Sequence, residues 1–567
     1  MTEKGADLCS GISPLKLRLM KKLLLTALVA VSVALGQAQA QCPAAPAPVV
    51  IPAGTITTNT TWTRNNIYLL NGFVYVDNGA TLTIESGTII KGDLNNKGSL
   101  IIRRGARIDA RGTATQPIVF TSNQPAGMRA PGDWGGIIIC GNAPQNLPGN
   151  PTIEGGVVAN FGGNDPNDNS GWLQYVRIEF PGVAFLPNNE INGLTLGAVG
   201  AGTTIDHIQV SYSGDDSYEW FGGTVNAKYL IAHRGTDDDF DTDNGYSGKV
   251  QFGVALRDPA VGDFASGGVS NGFESDNDAN GSTNSPQTSA VFSNMSMFVP
   301  SGTLASPYSN SNAMHIRRNS AESIFNSVFT GRPYGLLLDG VTTQGNANSG
   351  ALVLGNNVLA GYANNRKARV NSGTTFNVKQ FVGASNDTSA TVMSLMLNTD
   401  NYSLTAPVFA PQAGSPLGSG ASFANAKLSN SFFTPVSYRG AFAPAGTPGA
   451  DWTAGWAEFN PQTFCYNTPG RTTLAARPKS DQVQGLGVAP NPTAGAATLS
   501  FELLRGGAAT VRVLDVTGRE VAMVAANKSF SAGPQVLALP ATLPAGVYVA
   551  NITTAETSQS VRFVVAK

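Results

Sequence analysis

Between residues 50 and 360 the apolar positions come in short runs. They alternate with polar ones and are separated by turns rich in Gly, Asn and Asp. The alternation marks half-buried β-strands of about five residues. The spacing of the runs is regular. His207-Ile208-Gln209-Val210 is followed 22 residues later by Tyr229-Leu230-Ile231-Ala232, and after another 22 by Gln251-Phe252-Gly253-Val254. Ile208, Leu230 and Phe252 then fall in register, as do Val210, Ala232 and Val254, and Gly223 matches Gly245. A short strand cannot bury its apolar face alone but can do so on an equivalent strand one coil away. A repeat of this length with polar turns therefore predicts an all-β right-handed parallel β-helix. Other rungs are Leu82-Thr83-Ile84, Leu100-Ile101-Ile102, Ile118-Val119-Phe120, Val176-Arg177-Ile178 and Leu194-Thr195-Leu196. Further along come Val291-Phe292, Ile324-Phe325, Val328-Phe329 and Leu352-Val353-Leu354. A series of β-sandwiches is the competing architecture, but sandwiches do not keep such a register. Ile51 to Leu70 is expected to cap one end and the less periodic stretch from Ala360 to Cys465 the other.

Acidic residues repeat with the same register. Asp215, Asp216 and Glu219 match Asp237, Asp238 and Asp241. Phe240-Asp241-Thr242-Asp243-Asn244 recurs 33 residues on as Phe273-Glu274-Ser275-Asp276-Asn277, one repeat plus a loop of 11. Stacked copies would put carboxylates roughly 4.8 Å apart. Two unit charges at that distance repel by about 1 kcal/mol in water and about 3–4 kcal/mol at an effective dielectric near 20. Such a ladder must spread, take up protons or bind a cation. Calcium, with six to eight oxygen ligands, suits it. Asp215, Asp216, Glu219, Asp237, Asp238, Asp241, Asp243, Glu274 and Asp276 are the candidate metal ligands. A solvated ladder of turn-favouring residues and a set of catalytic carboxylates are the alternatives.

Composition narrows the class. The chain has 567 residues, 65 of them Gly, only 13% charged, with a net charge of -1. That balance argues against nucleic acid as a partner. Met20-Lys21-Lys22, the apolar Leu23 to Leu35 and Ala38-Gln39-Ala40 read as a signal peptide cleaved between Ala40 and Gln41. No later apolar stretch is long enough for a transmembrane segment. Cys42, Cys140 and Cys465 remain, so at most one disulfide forms; a Cys42–Cys465 pair would tie the ends of the body together. His207, His233 and His315 show no zinc spacing, and a lone strand His is more often packed than catalytic. Trp172, Tyr175, Tyr218, Trp220, Phe221, Tyr246 and Tyr334 could stack on sugars or pack beneath turns.

The carboxyl end holds Pro490-Asn491-Pro492, Val513-Leu514-Asp515-Val516-Thr517-Gly518-Arg519-Glu520-Val521, Gly546-Val547-Tyr548 and a terminal Lys567. It resembles the C-terminal sorting domain of type IX secretion. That resemblance implies a small β-sandwich, the type IX secretion machinery as partner, removal on export, and a protein secreted or held on the outer surface of a Gram-negative cell. The body, with Gly132-Asp133-Trp134-Gly135-Gly136-Ile137, Tyr438-Arg439-Gly440-Ala441-Phe442 and Asp451-Trp452-Thr453-Ala454-Gly455-Trp456, resembles the pectin-lyase-like β-helix superfamily, which includes lyases, hydrolases and adhesins. The expected division is a dispensable leader 1–19, signal peptide 20–40, β-helix body 41–470, linker 471–486 and sorting domain 487–567. The function expected is a surface-exposed binding or adhesin-like protein with a polysaccharide or surface ligand and a cation-binding ladder. The alternative is a calcium-dependent polyuronate lyase. Asp237-Asp238-Asp239-Phe240-Asp241 resembles the calcium motif of some β-helix lyases, and Lys249 or Arg317 would then be the base. Asp241-Thr242-Asp243 matches polygalacturonases too weakly to imply a hydrolase.

Overall fold

The computed structural model describes residues 42–473 and 483–566, apart from 187–188, 264–268, 301–304, 306, 372–374, 504–505, 516–518 and 555–557. The leader, the signal peptide with Ala40 and Gln41, Gly518 and Lys567 lie outside the described residues. The chain divides into two compact units, 1–472 and 473–567.

The first unit is a parallel β-helix with three sheets. Sheet A stacks Ile89–Gly92, Ile118–Ser122 and residues 176–179, 208–211, 230–233, 253–256 and 295–298, ending at Val328–Thr330 and Val358–Ala360. Sheet B stacks Ser99–Ile102, Ile137–Cys140, Leu194–Gly197, Tyr218–Phe221, Phe240–Asp243, Phe273–Ser275, Asn312–Ile316, Tyr334–Leu338 and Ala368–Val370. Sheet C runs from Thr60–Trp62 through Thr81–Ile84 and Arg107–Arg111 to Ser323–Phe325 and Leu354–Gly355. Every pairing in the three sheets is parallel. Inward side chains such as Leu82, Ile108, Leu173, Ile208, Val210 and Leu230 are fully buried in one continuous core. Inside sheet B the rings of Tyr218, Phe240 and Phe273 stack with centroids 5.5 Å apart, so each coil fixes its neighbour's register by shape as well as by hydrogen bonds.

Five long strands cross from sheet C to sheet A, bent at one residue that is skipped in the ladder. Tyr175, His207, Tyr229, Phe252 and Asn294 hold this corner with φ between 49° and 63°. Left-handed backbone is costly for aromatic residues. Stacking offsets it, with Tyr175–His207 and His207–Tyr229 at 4.3 Å and Tyr229–Phe252 at 5.2 Å. This corrects the register of the third copy. Leu230 pairs with Gly253 and Ala232 with Ala255, while Phe252 stacks on Tyr229. The turn from Gly245 to Lys249 is one residue longer than that from Gly223 to Asn226, and apolar type alone does not reveal the shift. Gly223 and Gly245 do correspond, with φ of 89° and 88°.

The expected caps are also corrected. Val49–Ile56 pairs parallel with Ile67–Val76, so Ile51 to Leu70 belongs to the first coil. Beyond Val370 the chain forms a short helix, Val378–Gly383, and then returns along the outside of sheet A. Leu395 and Leu417 pack on Val328 and Val358. Phe409, Phe442, Trp456 and Phe459 cover Ile231, Val254 and Phe298. Phe464 and Tyr466 reach Val119 and Ile89 in the early coils. Buried polar groups tie this strap down: Gln209 Nε2 donates to the Glu458 carbonyl at 2.7 Å, and Arg177 donates to the Trp456 and Thr472 carbonyls. Cys465 at its end is bonded to Cys42, and Cys140 is free and buried. A paired Cys42→Ser, Cys465→Ser variant should lose about 2–4 kcal/mol, read as a lowered urea midpoint of the first unit. An unchanged midpoint would show that strap packing alone fixes the end.

The second unit is a β-sandwich. Val483–Ala489, Ala497–Leu503 and Gly533–Leu539 form one sheet. Glu520–Phe530, Gly507–Asp515, Gly546–Thr554 and Ser558–Val565 form the other. Its first strand begins inside the stretch expected as linker, and Thr472 before it is buried in the first unit. Leu499, Val511, Val513, Ile552 and Phe563 make the core. The Pro490-Asn491-Pro492 segment docks on the last strand: Asn491 Oδ1 accepts from the Val564 N–H at 2.9 Å and Thr493 N–H donates to the Val564 carbonyl. Gly546 pairs with Val565, and the Tyr548 hydroxyl donates to the Pro544 carbonyl.

Candidate metal centre on sheet B

Outward positions on sheet B change character along the stack. In the early coils Ile101, Ile138 and Cys140 face outward and are roofed by Ile153, Val157, Ala159 and Phe161 from the long insertion between Ile137–Cys140 and Gly171–Glu179. Then the outward register reads Thr195, Glu219, Asp241, Glu274, His315. The pleat forces this, because Tyr218, Phe240, Phe273 and Met314 beside them point into the core. In the preceding turn a second ladder reads Asp216, Asp238, Asn271, Asn312. In the first three the side-chain oxygen accepts the next coil's backbone N–H: Asp238 N–H to Asp216 at 2.8 Å, Asn271 N–H to Asp238, Asn312 N–H to Asn271 at 3.0 Å. Turn backbone satisfaction thus explains one oxygen of each acid and leaves the other.

The two ladders converge. Ligand atoms within 4.8 Å of one another are offered by three groups: Asp215, Asp216 and Asp237; Asp216, Glu219 and Asp241; Asp238, Asp241 and Glu274. These clusters of buried acids could hold a metal ion. Desolvation by burial, then repulsion between the acids, pushes Asp215, Asp216, Glu219, Asp237 and Asp241 well above the carboxylate range. Asp238 is pushed up to about 7 and Asp243 to about 8 by the same two causes. Oδ1 of Asp241 is buried with no hydrogen-bond partner among the described residues, a costly state for a carboxylate.

Basic groups border the acids on one side. Burial raises Glu274, but a hydrogen bond from His315 and the charge of Arg317 outweigh it, and the net shift is downward. Arg317 pairs with Glu274 and, at 2.8 Å, with Asp276; Arg318 also reaches Asp276, at 2.7 Å. Asp276 therefore sits in an ion-pair network rather than in the three acid groups. His315 lies between Glu274 at 3.2 Å and Asp339 at 3.5 Å, and hydrogen bonds to these acids raise it to about 9 against the opposing effect of burial. Lys249 is elsewhere: it opens a strand on sheet C, beside Val291, and its N–H donates to Asn226.

Sequence reasoning missed several members. Asp239, Arg257 and Arg332 form a buried ion-pair triad whose arginines hold the carbonyls of Thr236, Asp237 and Ser270, fixing the acidic turns. Glu154 and Asn192 come from outside the repeat. Asn192 Nδ2 donates to Glu154 at 2.8 Å and to Glu219. Only Asn192 carried a signal, since it stands in the Asp216 register one coil earlier; Glu154 lies in an insertion with no periodicity.

A three-sheeted parallel β-helix with an outward acidic ladder defines the class. Residues 54–402 match the pectate-lyase-like β-helix domain, more than half of the 567-residue chain. The chain belongs to that family. Residues 487–566 match the secretion system C-terminal sorting domain, which makes this a secreted cargo of type IX secretion, directed to the cell surface or beyond. No curated protein matches the chain. Among the described residues no helix is long and apolar enough to cross a membrane.

Proposed function

We propose that the protein is a non-catalytic binding protein of the outer cell surface, and that a calcium ion held by the sheet B acids recruits an anionic polysaccharide. The observation that carries this reading is the buried, closely spaced set Asp216, Glu219, Asp238, Asp241 and Glu274, whose repulsion a divalent cation would remove. Calcium held between Asp238, Asp241 and Glu274 would keep coordination positions open toward solvent for ligand oxygens. Arg317 and Arg318 on the next coil would meet further negative groups along the same chain. Catalysis needs a basic group free to take a proton. Arg317 is doubly ion-paired, and the charges of Glu274 and Asp276 raise it against the effect of burial; Lys249 lies on another sheet. A second reading, a polyuronate lyase, draws on the family match and on Arg317 at the edge of the ladder.

The test is retention of polyuronates and neutral glycans by the mature protein, with calcium and with chelator, alongside an assay for unsaturated sugar products. Retention of an acidic glycan that falls about ten-fold or more in chelator, with no product, is expected. Calcium-dependent product release that Arg317→Ala abolishes would replace the binding reading by the lyase. No retention of any glycan and no product from any of them would remove both.

A further inference from the structure

We infer that Glu154 and Asn192 complete a divalent-cation site with Asp216, Glu219 and Asp241, so that the cation latches the insertion 142–170 onto the acidic ladder. The inference rests on the cation-binding reading above and adds the ligands and the moving part. In the turn ladder each Asp or Asn oxygen accepts a backbone N–H from the next coil, at Asp216, Asp238 and Asn271. Asn192 occupies the same register but breaks the pattern. It is 1% exposed, its Oδ1 is buried with no partner among the described residues, and its Nδ2 points at Glu154 and Glu219. A second oxygen, Asp241 Oδ1, is buried and unpartnered in the same group.

An amide facing two carboxylates can satisfy them only by donating, and it strands its own oxygen. Half a turn about the terminal torsion exchanges the two ends of the amide. Oδ1 then joins the Glu154 and Glu219 carboxylates, and Glu219 itself belongs with Asp216 and Asp241 to one group of closely spaced ligand atoms. Four carboxylates and one amide oxygen match the hard-oxygen preference of calcium and leave room for water. Three of these residues sit on the rigid stack. Asn192 leads directly into the strand Leu194–Gly197, and Glu154 alone comes from the insertion, so metal affinity and the seating of 142–170 become one equilibrium. The apolar roof of Ile153, Val157 and Phe161 positions Glu154 beforehand.

The experiment is calcium titration by calorimetry on the mature protein and on Glu154→Gln, Asn192→Leu and Asn192→Asp, with hydrogen exchange of 142–170 with and without calcium. Glu154→Gln and Asn192→Leu should weaken calcium at least about ten-fold, and Asn192→Asp should restore it by supplying an oxygen without rotation. Calcium should slow exchange in 142–170 of the parent and leave Glu154→Gln unchanged. Glu154→Gln removes a like charge, so its calcium-free melting should equal or exceed the parent's and exclude misfolding as the cause. If the parent binds no calcium, the cation reading and this inference fall together. If the parent binds and Glu154→Gln binds within two-fold of it, only this inference is overturned.

Discussion

Asp239→Ala should destabilise the β-helix unit by about 3–5 kcal/mol, because it strands two buried guanidinium groups at once. Arg257 and Arg332 have side chains 0% and 1% exposed, and Asp239 is their shared carboxylate partner. Urea unfolding of the first unit reads the loss. The same variant should bind calcium more weakly, since Arg257 holds the Thr236 and Asp237 carbonyls and Arg332 holds Ser270, the turns that carry the acids. Replacing all three residues by apolar ones of similar volume should recover much of the stability but not the affinity. A loss below about 1 kcal/mol for Asp239→Ala would mean that water reaches the arginines.

The second large effect is a stability that falls as pH rises in chelator and is restored in large part by calcium. Asp238 and Asp243 are pushed up to about 7 and 8, against about 3.9 for an unfolded Asp. Between these values the folded state binds more protons than the unfolded one, so stability drops with increasing pH. His315, raised to about 9, acts in the same direction: its stabilising charge is complete below about 6.5 and is lost as pH climbs through 9. A tenfold change in a group's proton affinity on folding is worth about 1.4 kcal/mol, and coupling among the acids shares one effect between several groups. Melting temperature should therefore decline from pH 5 to pH 8 in chelator and decline clearly less steeply with millimolar calcium, which leaves only the His315 and Asp243 contributions. A decline of equal slope with calcium would refute cation binding at the ladder.

The fold was legible because its period is carried by turns and alternation together. Asp241 and Glu274 match across 33 residues despite the inserted loop, since Phe240 and Phe273 beside them stack inside the coil. What escaped notice had no period. The one-residue lengthening after Gly245 moved Phe252 to a corner where an aromatic and a core residue look alike in sequence. The strap over sheet A is built from isolated aromatics, Phe409, Trp456 and Phe464, whose partners lie on coils far away in the chain. In the candidate site the ladder acids could be read from the repeat. The arginines that hold their turns, Arg257 and Arg332, and the intruding Glu154, are specified only by three-dimensional packing.

The bond between Cys42 and Cys465 spans 423 residues and turns nearly the whole described body into a covalent ring. Outside the cell such a protein meets peptidases, and its exposed turns are where they cut. A single cut anywhere within the ring opens it without detaching a piece. The two halves remain one molecule, held at the first coils, with the sheets between them still stacked. A nicked protein would run intact without reductant and as two fragments with it. Its working lifetime is thus set by the second cleavage rather than the first.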